Sequence, residues 1–368
     1  MKGTERMSDH KTEQLFSKNI TNFFRGIAAV MVVLSHYAEW WTIWMQPEGN
    51  AETFRIALTK LGVYGVDLFF LFSGYAMVKS LGQGKMNLRF VWKRVKNVYI
   101  PYFIVVGIIE LISGGFLSPF EDFGLFLRDF WLFVSGYDHW YMFVLFLFYI
   151  GFIVIYFIPF GRIWRILAFS VFTYLVSYLL YQKGMREFWY VSNITFVLGV
   201  IAGEYDAQLK RIVEKAGIFI IPVMTVGMWF VVRFGLTGGV NIGGNPADYA
   251  HWFKIGATVI WTLLIFNLAG MIPKVFAFMQ IPILKRFLGL AAKPVAFLGK
   301  NSLYIYLTHD YVFMSCVNNP LIIEIILDLK VKFCIAAVLT VLISFLCGLV
   351  FRLPDLLLRI IRMREKEH

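Results

Sequence analysis

The feature that most limits what this chain can fold into is a series of continuous apolar blocks, each about 20 residues long, the length that crosses a hydrocarbon layer of ~30 Å as a helix. The blocks do not alternate polar and apolar residues as the strands of a closed barrel do. With 59% hydrophobic and only 16% charged residues over 368 positions, no soluble core would hold them all. The expected fold class is therefore an all-α integral membrane bundle. The candidate spans are ten: 21–41, 62–80, 98–116, 140–160, 164–182, 187–204, 214–233, 250–271, 296–316 and 332–352. An eleventh apolar stretch, 123–136, is too short to cross and reads as interfacial or re-entrant. There is no internal repeat.

Lysine and arginine set the orientation. With the N-terminus inside, 24 of the 35 basic residues fall in inside segments and 8 in outside ones, which places both termini in the cytoplasm. This bias also accounts for the net charge of +12, so no nucleic-acid partner is implied. The layout is a cytoplasmic tail (1–19), a transmembrane domain (20–352) and a basic cytoplasmic tail (353–368) suited to lie as a helix on the membrane surface. Residues 1–18 lack the pattern of a signal peptide. Cys316, Cys334 and Cys347 have no metal-ligand spacing, and no metal is expected.

Ionisable groups inside spans are costly and commonly face the bundle interior or a water-filled cavity. In the first block, TNFFRGIAAVMVVLSHY, Arg25 and His36 stand eleven residues apart. That is close to three helical turns, so both project from one face, about 16 Å apart along the axis. Arg25 lies near the inner edge, where it also fits a snorkelling anchor. His36 lies in the outer half. In the second block, GVYGVDLFFLFSGYAM, Asp67 sits at a matching depth and is a candidate to orient His36 as a general base. Ser73 and Gly74 fit close helix packing, and Ser73 is also a candidate hydroxyl donor. Lys93, Arg94 and Lys96 in the following loop form a cytoplasmic patch able to hold phosphates, although positive-inside bias explains them equally well. The ninth block, KNSLYIYLTHDY, brings His309 and Asp310 to the outer half, with Tyr304 and Tyr306 as further hydroxyls. Glu110 is another outer-half carboxylate. Cations thus gather at the inner mouth, and histidines and acids beyond it.

FFRGIAAVMVVLSHY, GVDLFFLFSGY, the basic run ending VYIPYF, HWYMFVLFLF and KNSLYIYLTH resemble, in that order, the motifs of the membrane acyltransferase-3 family, over residues 20–345. The resemblance implies a ten-helix bundle and transfer of an acyl group, usually acetyl from acetyl-CoA, to hydroxyls of extracytoplasmic or lipid-linked carbohydrates. It makes Arg25 and His36 the essential pair and the bacterial cytoplasmic membrane the expected location. In one respect the chain departs from the family, which has two arginines three residues apart before the third span. Arg94 matches the first, but Asn97 stands at the second, and Lys93 with Lys96 is a shifted alternative. The expectation is that Arg25 and the Lys93/Arg94/Lys96 patch hold the CoA phosphates. His36 would then activate the acceptor hydroxyl or carry the acyl group, with Ser73, Glu110, Tyr304, His309 and Asp310 as substrate-site candidates. The alternative is a multi-pass transporter or flippase using the intramembrane His, Asp and Glu residues as a proton relay.

Overall fold

A computed structural model describes residues 14–45, 48–82, 86–113, 123–137, 139–231, 246–278, 282–318 and 329–367. The first thirteen residues of the expected N-terminal tail lie outside them. Every regular element among the described residues is helical. The helices are α1 (Lys18–Met45), α2 (Gly49–Thr59), α3 (Leu61–Leu81), α4 (Leu88–Arg94), α5 (Ile100–Ser113), α6 (Phe123–Ser135) and α7 (Trp140–Phe157). They continue as α8 (Arg162–Gln182), α9 (Asn193–Glu204), α10 (Asp206–Phe230), α11 (Pro246–Phe278), α12 (Pro282–Lys300), α13 (Ser302–Asn318) and α14 (Leu329–Glu367).

Among the described residues, eight helical segments are long and apolar enough to cross a membrane. The two expected spans outside that set are 187–204 and 296–316. Their shortening has local causes. Residues 187–192 are spent on a 3-10 turn and a bend, leaving the 12-residue α9, about 18 Å long. The chain breaks at Asn301, which leaves 17 residues for α13, about 26 Å. Stretch 123–136 is the 13-residue helix α6, about 20 Å long. The basic tail continues α14 without a break through Pro354 rather than starting a helix of its own.

The centre of the bundle is α3, which buries every residue from Gly65 to Tyr75. Its sequence has no polar face, as expected of a helix packed on all sides. Glycines set how close its neighbours come. A methyl group on Gly199 of α9 would lie 2.1 Å from the Leu71 carbonyl oxygen, and one on Gly74 of α3 would lie 2.2 Å from that of Phe196. A second such crossing joins α1 to α12, where a methyl on Gly26 would meet the Val295 oxygen at 1.9 Å and one on Gly299 the Asn22 oxygen at 1.7 Å. Without a hydrophobic drive between helices in lipid, this backbone contact is what holds them together. At one end of α3, Asp206 accepts hydrogen bonds from Lys79 Nζ (2.7 Å), the Tyr75 hydroxyl (2.8 Å) and the Leu15 N–H (3.1 Å). One carboxylate thereby ties the segment before α1, α3 and α10 together.

Candidate active site

The histidine cluster begins with α1. Phe24, Ala28, Ala29 and Val32 of this helix are buried, and it crosses both α3 and α13. That packing holds His36 beside α13, where His36 Nδ1 lies 3.1 Å from the Asp310 carboxylate. A carboxylate only accepts, so Nδ1 carries the proton and the Nε2 lone pair of neutral His36 is left for chemistry. Both side chains keep an opening, with 32% exposure for His36 and 41% for Asp310.

His309 stands behind this pair. Its ring meets that of His36 edge-on, with centroids 4.8 Å apart. His309 Nδ1 lies 2.8 Å from the Tyr306 oxygen and 3.1 Å from the Ile305 oxygen, two acceptors that fix the proton on Nδ1. His309 Nε2 is buried, has no hydrogen-bond partner among the described residues and lies 3.6 Å from Asp310. The cluster thus presents two imidazole lone pairs around one carboxylate.

The carboxylate beside His36 is therefore Asp310, not Asp67 as the matching depths had indicated. Asp67 is fully buried on α3, with the hydroxyls of Ser192 and Thr258 close by, although neither of its oxygens is in hydrogen-bonding geometry. Depth along a helix does not fix rotation about it. The glycine crossing turns α3 against α9, and the position of Asp67 within that packing directs it away from His36.

A second concavity surrounds Arg25. It is a small cavity of about 60 Å³ lined by Arg25, Ser73, Tyr141, Tyr149, Ser302 and Tyr306, among others. The Nε of Arg25 is buried without a hydrogen-bond partner among the described residues. Tyr306 links the two regions, since its ring centroid is 5.1 Å from that of Tyr141 and 6.0 Å from that of His309. Ser73 thus belongs to the Arg25 side and not to His36. Tyr304 belongs to neither, because it is buried and stacks on Phe351 at 5.7 Å.

The basic patch divides. The Arg94 guanidinium folds back onto the end of α3, donating to the Ala76 oxygen (3.1 Å) and to Ser80 Oγ, and lies over the Phe90 ring at 5.2 Å. It remains close enough to Arg25 for their charges to repel. Lys93 is exposed, and Lys96 is half-buried. Between α4 and α5 the backbone forms a π-helical turn over Val95–Tyr99, which contains Lys96 and Asn97. Such turns recur at functional sites.

Glu110 accepts a hydrogen bond from the Tyr311 hydroxyl, and the Tyr311 ring stacks with His139 at 6.3 Å. The sequence had singled out Glu110 but not the aromatic rings beside it. The four-residue spacing of Tyr141, Leu145 and Tyr149 on α7 was the available sign that this helix lines a cavity.

A family model described as an acyltransferase domain matches residues 20–349. No curated protein and no solved structure matches the chain. The match spans nearly the whole sequence, including both concavities and the helices that shape them, and the chain belongs to the acyltransferase-3 family.

Proposed function

We propose that this multi-pass membrane protein transfers an acyl group, acetyl by the resemblance, from cytoplasmic acyl-CoA to a hydroxyl of an extracytoplasmic or lipid-linked carbohydrate. The bacterial cytoplasmic membrane is the proposed location, with both termini inside. The observation that carries this reading is the His36–Asp310 pair, which leaves His36 Nε2 free on the helix face that also bears Arg25.

The donor phosphates sit at Arg25 and at the inner basic patch, where the exposed Lys93 is more available than the Arg94 head already bound to α3. The pantetheine arm enters beside Arg25, widening the small cavity there, and passes Tyr306 toward His36. The ~16 Å axial offset between Arg25 and His36 calls for a donor with such an arm. His36 Nε2 takes the proton of the acceptor hydroxyl while the hydroxyl oxygen bonds to the thioester carbonyl carbon. The carbon–sulfur bond then breaks, and the departing thiolate recovers the proton from the imidazolium. Asp310 holds the ring and opposes its transient positive charge.

The test is turnover of labelled acetyl-CoA by purified protein in nanodiscs. Wild-type release of CoA that disappears in His36→Ala supports the reading; equal turnover by both proteins removes His36 from it. The transporter alternative draws its support from Asp67, a fully buried carboxylate without a hydrogen bond. Substrate uptake by proteoliposomes without CoA release would favour it.

A further inference from the structure

His36, His309 and Asp310 were considered above for acid–base work, but their geometry carries a second property. Three atoms converge from two helices 274 positions apart in sequence: His36 Nδ1, His309 Nε2 and an Asp310 oxygen, all within 4.8 Å of one another. A zinc-class ion with bonds near 2.1 Å to nitrogen and oxygen separates tetrahedral ligands by about 3.4 Å. The His36–Asp310 and His309–Asp310 separations, 3.1 and 3.6 Å, bracket that value, and the two histidine nitrogens, within 4.8 Å of each other, would draw together on binding.

Two independent features point the same way. His309 is 2% exposed at its side chain, and its Nε2 has no partner among the described residues while its Nδ1 is anchored to two backbone oxygens. That anchoring is the outer-shell arrangement that fixes a ligating histidine in the correct tautomer. The other two groups are each about one-third exposed or more, which leaves a path for an ion and room for a water as fourth ligand. No linear spacing shows this trio, because only folding brings α1 against α13.

We propose that His36 Nδ1, His309 Nε2 and Asp310 form a three-ligand site for a divalent transition metal of the zinc class, and that occupancy shuts the transferase off. A metal on Nδ1 moves the His36 proton to Nε2 and so removes the lone pair that accepts the hydroxyl proton. No bond to substrate forms or breaks, and no redox change occurs. The shut-off half rests on the reading of His36 as the base; the site itself does not.

The experiment uses full-length protein without a polyhistidine tag, chelator-treated and held in nanodiscs. Co²⁺ is titrated and its visible d–d bands are followed, with Zn²⁺ as competitor and CoA release measured in parallel. The expected result is one Co²⁺ per chain at micromolar concentration, with band intensities of a four-coordinate site. Zn²⁺ should displace it, and turnover should fall in step with occupancy. His309→Gln and Asp310→Asn should each weaken binding by at least about tenfold. Absence of stoichiometric binding, or binding indifferent to both His309→Gln and Asp310→Asn, overturns the site while leaving the transferase reading intact. Full occupancy with undiminished turnover overturns the shut-off, and the base role of His36 with it.

Discussion

Replacing Asp310 by asparagine removes one charge and little volume, so its effect isolates what the carboxylate does for His36. In the proposed reaction the imidazole becomes positive only transiently, and the carboxylate 3.1 Å away stabilises that state more than the neutral one. A unit charge pair at 4 Å is worth about 4 kcal/mol at an effective dielectric constant near 20. His36 and Asp310 are 32% and 41% exposed, and solvent screening lowers the figure to about 2 kcal/mol. At 1.36 kcal/mol per factor of ten, Asp310→Asn should lower kcat by about 30-fold. The KM for acetyl-CoA should hardly change, because the proposed site for the donor phosphates, at Arg25, is about three helical turns away. The assay is CoA release in nanodiscs across a range of donor concentrations, with thermal denaturation showing that the variant is folded. A fall confined to KM would refute the reasoning. So would a pH–rate profile displaced by Asp67→Asn but untouched by Asp310→Asn, since the two carboxylates would then have exchanged roles.

Three further expectations follow from particular contacts. Arg25→Ala removes a charge-assisted contact worth about 1.5–3 kcal/mol and should raise the KM for acetyl-CoA by roughly tenfold to a hundredfold, read from initial rates. Gly199→Ala places a methyl 2.1 Å from the Leu71 oxygen and should destabilise the bundle by about 1–3 kcal/mol, seen as a lower melting temperature in detergent. His139, just outside α7, is driven by burial from 6.5 down to about 4, against the opposing pull of the Asp310 charge. The unfolded chain therefore binds the extra proton first, so this contribution to stability is complete above pH 6.5 and is lost as pH falls toward 4. His139→Gln should flatten the decline in melting temperature across that window.

The first span was legible because its evidence is periodic: eleven residues return to the same helix face whatever surrounds them. The expected gathering of cations toward one end of the spans, and of histidines and acids toward the other, depends only on position along each span. Pairing between helices was not legible. Asp67 and Asp310 were both read at similar depths, and choosing between them needs the rotation of α3 and α13, which contacts between distant segments decide. Tyr304 and Tyr306 illustrate the same limit at short range. Two positions on a helix differ by about 200°, so one ring stacks on Phe351 while the other reaches the cavity. Two of the ten expected spans are short helices where hydropathy was uniform but the backbone was not, at the turn before α9 and at the break between α12 and α13.

The glycine crossings also divide the cavity walls by how freely they can change. On the sides built by α1 and α3, main chain rests on main chain, and almost any new side chain at a crossing collides with a carbonyl. Tyr141, Leu145 and Tyr149 of α7 and Tyr306 of α13 face the same space through side chains alone. Selection for a different acyl group or acceptor, in nature or in a mutant library, should therefore write its changes into α7 and α13. The α1–α3 wall would persist unaltered, as a fixed template against which new specificities are cut.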